Sequence, residues 1–525
     1  MARSIAESYA RGEAGAFFPL HPASPQDRRR AVTQAVRPLT PAVAEAIERQ
    51  NARFPPSATR DAHLAALRRG AAAVVTGQQV GLFLGPLFTL YKAAAAIRNA
   101  RALAEETGAA VVPIFWLQTE DHDLPEIARV ALPDREGERI CLELPASPRE
   151  RISIAHRTLP REIDAVLASL DGVIGDLHHG PAHLALLRRH YRPGAGWGEA
   201  FAGVLAELLD ELVIVDPRDP ALAAAAASVH RRALEGAELI SRALLRRCGE
   251  LEAAGFAPAV HVRDGAPLSF FHPEGPAGPR YRLDPAAGGF AEVGGERIHA
   301  RADLLARLEE APLSFSTSAL LRPILQDTLL PTAAYVGGPG EIAYFAQLAP
   351  LYRAFDLPMP LVVPRARFRV LEGRTRRLLE RLGLQPDDAA RPEAELLARC
   401  GAGAGLPEAE AVAQALLAPF AAELDRLRAA AGALPLDRSF ARTRRSVERA
   451  VERFVARYAR ERVRSDERLV ADVRRLANLL APAGVPQERE HGLAWYAARY
   501  GGPGFVRAIL DAVVPFDGTL RELVP

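Results

Sequence analysis

The most informative stretch of this chain is AAAVVTGQQVGLFLGPLFTLYK, residues 71–92. It opens with a short apolar run, Ala71 to Val75, which is typical of a buried strand. The run ends at TGQQ, residues 76–79, and from Pro86 a pattern compatible with a long helix continues to about Glu106. We therefore expect a strand, a loop and a helix in this order.

A second apolar run, Val111 to Leu117, stops before the tetrad EDHD at residues 120–123. The two runs and the helix between them predict a βαβ unit with parallel strands and a right-handed crossover. The carboxyl ends of such strands open on one edge of the sheet, where α/β proteins bind ligands. We therefore expect Gln78, Gln79 and His122 to be neighbours.

Later segments complete the predicted architecture. Apolar runs at 212–215 and 361–363 extend the parallel sheet, and short segments between glycines and prolines at about 256–300 predict a small β insertion. Between Phe440 and Leu480, apolar residues alternate at spacings of four and three, as in a coiled coil. The predicted fold class is α/β, with a parallel-sheet core and inserted segments over 1–366. An antiparallel helical coiled coil follows over 367–525, and its terminal segment docks back on the core.

Lys92 is the single lysine among the 66 basic residues. A lysine ammonium is a compact point charge that suits a phosphate or carboxylate, whereas a guanidinium is a planar fork. Lys92 is therefore a candidate catalytic residue, and it follows a strand and turn that independently predict a ligand site. The alternative is that coding bias replaced lysine by arginine elsewhere and left one survivor by chance.

The charge balance argues against some classes of function. With 66 basic and 64 acidic residues the formal charge is only +2, which gives no electrostatic case for binding nucleic acid or an anionic membrane. No apolar run reaches membrane-spanning length and the N-terminus lacks a signal sequence, so we expect a soluble cytoplasmic protein. Cys141, Cys248 and Cys400 lack the close spacing of a metal or redox motif, and we expect buried structural thiols.

Three glycines, Gly77, Gly81 and Gly85, punctuate the turn after the first strand, and Pro86 suits the first position of a helix. The N-terminus of a helix offers unpaired N–H groups and a positive dipole, and missing side chains let a ligand approach the backbone. This predicts phosphate or carboxylate binding. The stretch matches neither GxGxxG nor GxxxxGK[ST], so neither standard nucleotide fingerprint applies.

The tetrad EDHD is the densest ionisable cluster of the predicted core. His122 stands between Asp121 and Asp123, which should favour its protonated form. That suits a proton donor or a binder of anionic groups, and we take all three as candidate catalytic residues. Structural hydrogen bonding at a strand end and metal ligation are the alternatives, although no second histidine at a regular spacing supports a metal.

A third polar stretch, LLRPILQDTLLPTAAYVGGPGEIAYFAQL, begins at Leu320. It combines polar side chains with tight turns and apolar residues, a combination compatible with a shaped pocket wall or with ordinary loop packing. Its candidate binding residues are Arg322, Gln326, Gly337, Gly338, Glu341, Tyr344 and Gln347.

Four stretches of this chain are long and unlike the motifs of other α/β families. They are TGQQVGLFLGPL with Lys92, PIFWLQTEDHD, the stretch from Leu320, and PQERE near the end. Together they resemble the BshC family, the cysteine-adding enzymes of bacillithiol biosynthesis, over nearly the whole chain. One departure is at residues 315–318, where FSTS stands in place of the family's FSPN.

The resemblance implies a Rossmann-like core and a C-terminal coiled coil used to form a homodimer. It also implies a reaction in which the carboxyl group of cysteine is joined to the amine of glucosaminyl-malate. The family's motif positions fall here on Thr76, Gly77, Gln78, Gln79, Gly81, Gly85, Pro86 and Lys92, then on Glu120, Asp121, His122 and Asp123.

A carboxylate acylates an amine only after its oxygen has become part of a good leaving group. ATP is the expected activator, with Mg²⁺ as its usual companion. We hypothesise that amides around Gly81 to Pro86 hold phosphate and that Lys92 offsets its charge. Gln78 and Gln79 would then orient the reactants.

His122, oriented by Asp121 or Asp123, would handle the proton of the incoming amine. Two other classes of function are compatible with the same features. One is a nucleotide-binding sensor without ligase activity that transmits through the coiled coil. The other is an assembly scaffold whose core is inert.

Overall fold

The structure is a computed structural model that describes residues 3–145, 151–400, 407–432, 434–464 and 467–525. The strands are β1 Ala72–Gln78, β2 Val111–Leu117, β3 Arg129–Pro133, β4 Arg139–Glu143, β5 Val213–Val215, β6 Ser269–Phe271, β7 Tyr281–Ala286, β8 Gly289–Glu292, β9 Ile298–His299, β10 Phe315–Thr317, β11 Thr332–Gly337, β12 Leu361–Pro364, β13 Arg367–Val370 and β14 Leu520–Leu523.

The α-helices follow the same chain order. They are α1 Ile5–Ala10, α2 Pro25–Ala35, α3 Pro41–Asn51, α4 Ala58–Arg68, α5 Phe88–Thr107, α6 Leu124–Ile127, α7 Ile163–Ile174, α8 Gly180–His190, α9 Trp197–Leu208, α10 Pro220–Ala225, α11 Ala227–Glu235, α12 Ala237–Ala253, α13 Arg301–Glu310, α14 Arg322–Leu329, α15 Pro339–Ala354, α16 Gly373–Leu382, α17 Glu393–Arg399, α18 Ala409–Ala430, α19 Asp437–Arg464, α20 Glu467–Leu480, α21 Gln487–Glu490, α22 Ala494–Tyr500 and α23 Gly502–Ala512.

The core is a five-stranded parallel sheet in the order β12-β11-β1-β2-β5. Its strands are buried on both faces, as their nearly continuous apolar sequences require. Successive residues of β1 alternate between the two faces: Val74 belongs to one apolar cluster and Val75 to the other. Helices including α5 and α9 cover the first face, and helices including α3 and α15 cover the second. The predicted α/β fold class is confirmed.

Helix α5 begins later than the sequence predicts. A 3₁₀ turn at Leu82–Leu84 follows β1, and the first helical residue is Phe88, so the predicted start at Pro86 is wrong. Phe83, Leu84 and Gly85 all have positive φ, between 51° and 73°. The turn brings Gly81 and Gly85 so close that a Cβ on Gly81 would lie 2.9 Å from Gly85 Cα. Glycine is therefore required here by close approach of backbone.

The predicted β insertion is a second sheet in the order β10-β6-β7-β8-β9. Its edge strand β10 comes from the FSTS stretch at 315–318, which lies outside the predicted insertion. Strand β10 pairs with β6 in an antiparallel register in which Thr317 faces Ser269. The insertion therefore extends to the segment that leads into the core helix α14.

Helices α18 and α19 form the predicted antiparallel hairpin, and Gly432 at its turn has a φ of 57°. Val447 and Val451 of the predicted seam are half-buried, whereas Phe454 is exposed. The end of the chain returns to the core, because β14 pairs with β13 and α23 packs against α5. Within the described residues, no helix combines the length and apolarity needed to cross a membrane.

Candidate active site

A cavity of about 470 Å³ opens at the carboxyl edge of the central sheet. The chain adds β2 and β5 on one side of β1 and then returns to place β11 and β12 on the other. The cavity lies at this topological switch point, where open α/β sheets bind ligands. We call it the main cavity, and its walls include Gln78, Lys92, His122, Arg322 and Gly338.

Lys92 lines the main cavity, but its side chain is only 4% exposed. Its Nζ donates to the carbonyl oxygen of Gly77 at 2.9 Å and to Gln78 Oε1 at 3.0 Å, and it forms an ion pair with Glu341. Burial lowers the pKa of Lys92, and the neighbouring carboxylate opposes that shift. Lys92 therefore joins β1 to the first turn of α15.

Glu341 and four partners form what we call the buried ionic cluster: Lys92, Arg322, Tyr335, Glu341 and Tyr344. The Tyr335 hydroxyl donates to Glu341 at 2.5 Å, and Arg322 donates to the hydroxyls of Tyr335 at 3.2 Å and Tyr344 at 2.7 Å. Burial alone would raise the pKa of Glu341. Lys92 and the hydrogen bonds lower this pKa by more than burial raises it, so the pKa lies below its ordinary value. The cluster therefore places the cations Lys92 and Arg322 and the carboxylate of Glu341 in the cavity wall.

The loop after β1 and the loop after β2 meet directly. Gln79 Nε2 donates to Asp121 Oδ2 at 2.9 Å and to Glu126 Oε2 at 2.7 Å. Gln78 and His122 both line the main cavity. The predicted proximity of these two loops is therefore confirmed.

Glu120 is held by the β insertion. Its carboxylate accepts hydrogen bonds from the Thr317 hydroxyl and from the Thr317 backbone N–H, the latter at 3.3 Å. Thr317 stands where the family's FSPN pattern has proline, which has neither a hydroxyl nor an N–H to donate. The FSTS departure thus supplies two contacts to the cavity wall.

Arg280, next to β7, connects the same elements. It is 5% exposed; it donates to the carbonyl oxygens of Glu120 at 2.7 Å and Thr317 at 3.0 Å, and it lies 3.6 Å from Asp121 Oδ1. Its guanidinium carbon lies 4.0 Å from the centre of the Phe270 ring. Burial alone would raise the pKa of Asp121, but Arg280 and the surrounding hydrogen bonds keep it below its usual value.

Burial lowers the pKa of His122, and the Arg280 charge lowers it further. Asp121, 3.7 Å from His122 Nδ1, raises this pKa without reversing the shift. The expectation that two carboxylates favour the protonated form is therefore wrong, because the nearby arginine and desolvation outweigh them. Asp123 caps α6, accepting from the Glu126 N–H at 3.4 Å, and it does not line the main cavity.

Five predicted binding residues line neither this cavity nor the second cavity described below: Thr76, Gly77, Gln326, Gly337 and Gln347. The Thr76 hydroxyl donates to the Val336 carbonyl oxygen at 2.9 Å and so joins β1 to β11. Gln326 donates to its neighbour Asp327, and Gln347 exchanges two hydrogen bonds with the backbone of Val260. Gly337 packs beneath Glu341, where a Cβ would lie 3.1 Å from that residue's own Cβ. These residues support the site by packing.

The glycine loop, residues 81–86, lines a second cavity of about 280 Å³. Several of its N–H groups are bonded inside the protein, so the prediction that they hold phosphate is wrong for these groups. The acceptors are Gln79 O for Gly81 at 3.0 Å, Tyr191 Oη for Leu84 at 3.4 Å and Leu82 O for Gly85 at 2.8 Å.

Comparison with known proteins identifies the family. Residues 3–366 match the model of the bacillithiol biosynthesis BshC N-terminal Rossmann-like domain, and residues 368–521 match that of the BshC C-terminal coiled-coil domain. The chain belongs to the BshC family. It is 35% identical over 444 residues to "Putative cysteine ligase BshC" of Solibacter usitatus, covering 82% of this chain and 80% of the relative. It is 34% identical over 485 residues to the protein of the same name from Koribacter versatilis, covering 91% and 88%.

Three arginines that line the main cavity of this BshC-family chain were not predicted as site residues from the sequence: Arg280, Arg365 and Arg489. Arg365 forms a bidentate, buried ion pair with Glu488, at 2.9 and 2.8 Å. Arg489 is exposed, and no carboxylate of the described residues pairs with it. Arg365 pairs with Glu488 of the QERE segment, and Arg489 is part of that segment. The QERE motif was therefore a sequence feature from which both arginines could have been predicted as site residues. Arg280 carried no such signal, because nothing near it in sequence resembles a site.

The cysteines differ from the expectation of buried thiols. Cys141 is exposed on β4 and lines the second cavity, whereas Cys248 and Cys400 are half-buried. Strand β4 belongs to a two-stranded sheet that leaves alternate side chains exposed. The prediction is therefore wrong for Cys141.

Proposed function

We propose that this chain is an ATP-dependent ligase that joins the carboxyl group of L-cysteine to the amine of glucosaminyl-malate, forming bacillithiol or a related small thiol. The observation that carries the proposal is the main cavity. It brings His122, with a lowered pKa, and five cationic side chains to the switch point of the sheet. The relatives from Solibacter usitatus and Koribacter versatilis bear the name "Putative cysteine ligase BshC", which supports the same reaction class.

The cavity wall has more cationic than anionic side chains, since only four carboxylates of the described residues line it: Glu120, Asp121, Glu126 and Glu341. Five cationic side chains line it, Lys92, Arg280, Arg322, Arg365 and Arg489, and Arg280 Nε is buried without a hydrogen-bond partner. ATP, when bound, supplies the leaving group that makes the cysteine carboxyl reactive. The described residues contain no group of three or more side chains that could hold a metal, so we assign no residue to Mg²⁺.

His122 accepts the proton that the acceptor amine loses as the amide bond forms. Burial and the Arg280 charge lower the pKa of its imidazole, which favours the neutral form that can act as a base. Asp121 sits beside it, and Gln79 holds Asp121 in place. Gln78, held by Lys92, presents its amide to the cavity and orients the reactants.

A reconstituted reaction tests this function. The protein is incubated with isotope-labelled cysteine, ATP and glucosaminyl-malate, and the products are measured by mass spectrometry. We expect a labelled amide product that depends on ATP. Nucleotide binding without a coupled product would instead indicate a sensor. The absence of both nucleotide binding and product would indicate a scaffold.

The same proposal includes a cytoplasmic homodimer formed through the α18–α19 hairpin. On the two helices of this hairpin, three large apolar side chains are more than 40% exposed: Leu416, Leu427 and Phe454. Light scattering should give a molar mass of twice the chain mass. In the double variant Leu427→Glu with Phe454→Glu, the measured mass should fall to that of a single chain. An unchanged mass for the double variant would exclude this surface as the interface.

A further inference from the structure

The second cavity adjoins the main cavity and shares Gln78, Phe88, Glu126 and Arg489 with it. Its remaining walls come from the glycine loop, the β3–β4 hairpin, the beginning of α5, the end of α6 and the C-terminal segment around Val485 and Glu490. The two spaces are thus separate in volume but have a common boundary. A ligand held in the second cavity can present one end to the main cavity across this boundary.

The charged side chains of the second cavity are not balanced. Arg139 pairs with Glu490, and Glu126 accepts a hydrogen bond from the Gln79 amide. Arg129 and Arg489 are both exposed, and neither forms an ion pair with any carboxylate of the described residues. Two guanidinium groups are therefore available to an anion, and their forks match carboxylate geometry.

A buried hydroxyl gives an independent indication of a ligand. Thr89, in the first turn of α5, lines the second cavity and is 1% exposed. Its Oγ1 is buried and has no hydrogen-bond partner. An unpaired buried hydroxyl costs free energy unless something satisfies it, so a polar ligand atom in this cavity would remove that cost.

We infer that the second cavity is the subsite for the dicarboxylate end of the acceptor, with Arg129 and Arg489 binding its carboxylates. This inference rests on the proposed function, because an acceptor built on malate carries two carboxylates, and its amine lies on the sugar that is attached to the malate. The side chains and the shared boundary place the acid in the second cavity and the amine toward His122. The amides of Gly81, Leu84 and Gly85 already have acceptors inside the protein, which favours recognition of the anion by side chains.

Cys141 allows a direct test, since its exposed thiol lies in the wall of the second cavity. The rate of alkylation of each cysteine is measured by peptide mass spectrometry in the full-length protein, with L-malate or with inorganic pyrophosphate. We expect malate to slow alkylation at Cys141 in a saturable way while Cys248 and Cys400 react unchanged. Arg129→Gln should weaken this protection roughly tenfold, as expected for one lost charge-assisted contact.

Arg30→Gln is the matched control, because Arg30 is an exposed arginine outside both cavities. It should leave the protection unchanged, and Arg129→Lys should restore part of it. If malate leaves the rate at Cys141 unaltered, or if pyrophosphate protects and malate does not, the inference is overturned.

Kinetics separate this inference from the proposed ligase activity. In the full reaction, Arg129→Gln should raise KM for the acceptor while KM for ATP and cysteine stay unchanged. The alkylation measurement needs no turnover, so it tests the subsite even if no amide is formed. Active ligation without protection of Cys141 would overturn the subsite alone.

Discussion

The buried ionic cluster and the α18–α19 hairpin use the same residue types in opposite environments. In the cluster, the side chains of Lys92 and Glu341 are 4% and 15% exposed, whereas those of Arg444 and Asp425, which pair across the hairpin, are 42% and 62% exposed. Water screens the exposed pair and solvates either partner alone. The buried pair has no such alternative, so each member depends on the other. Similar pairs in the sequence thus have different energetic weight.

The largest expected effect is that of Lys92→Met. It leaves the Glu341 carboxylate buried without its cation, and we expect the free energy of unfolding to fall by about 3–5 kcal/mol. Urea unfolding measures it. Lys92→Met combined with Glu341→Gln should recover part of the loss, because the uncompensated charge is gone. A single-variant loss below about 1 kcal/mol would mean that the cluster behaves like the hairpin.

His122→Asn should leave the stability near that of the parent protein and reduce kcat about 10²- to 10⁴-fold, the usual contribution of a positioned general base. Steady-state ligation assays measure it. His178→Asn is the matched control, because His178 is an exposed histidine away from both cavities. Normal turnover by the His122 variant would remove the residue from the proposed mechanism.

The pH profile of kcat/KM should show an acidic limb at lower pH than an ordinary histidine would give, because the neutral imidazole is the active form and the pKa of His122 is lowered. Activity should rise as pH increases through that pKa and then persist. Arg280→Gln removes one cause of the lowering, so the limb should move to higher pH. Arg280→Lys keeps the charge, so it should shift the acidic limb less than Arg280→Gln does. If Arg280 had only a structural role, neither substitution would change the pH of the limb.

The smallest expected effect is that of Arg444→Ala on the hairpin. The exposed pair with Asp425 should contribute less than about 1 kcal/mol to stability, and ligation should be unchanged. Urea unfolding and the ligation assay check both statements. If Arg444→Ala reduced the free energy of unfolding as much as Lys92→Met does, the buried ionic cluster and the hairpin would not differ in the way described.

Much of the core was predictable because the signals are local. Apolar runs of strand length, glycines at the turn and a helix-compatible segment together indicate a βαβ unit, and the geometry of parallel strands then places Gln79 beside Asp121. The start of α5 was missed because the residues at 82–85 adopt positive φ in a turn that their apolar sequence does not indicate. Thr76 and Gln347 line neither cavity, and the sequence could not show this because residue type alone does not say whether packing or a cavity surrounds a side chain.

The protonation of His122 shows the same limit in electrostatic terms. Its sequence neighbours Asp121 and Asp123 suggest a raised pKa, but Arg280 and burial lower it. Arg280 is distant along the chain and comes from an inserted sheet. Its effect arises only when that sheet packs over the 120–123 loop.

Local pattern was therefore enough to establish the parallel sheet, the β insertion, the hairpin and the edge where the reactive loops meet, because period and turn chemistry act over a few residues. The charge state of His122, the pairing of Lys92 with Glu341 and the two unpaired arginines of the second cavity depend on contacts between distant segments. Such contacts set burial and distance, and these quantities control electrostatic energies in the folded chain.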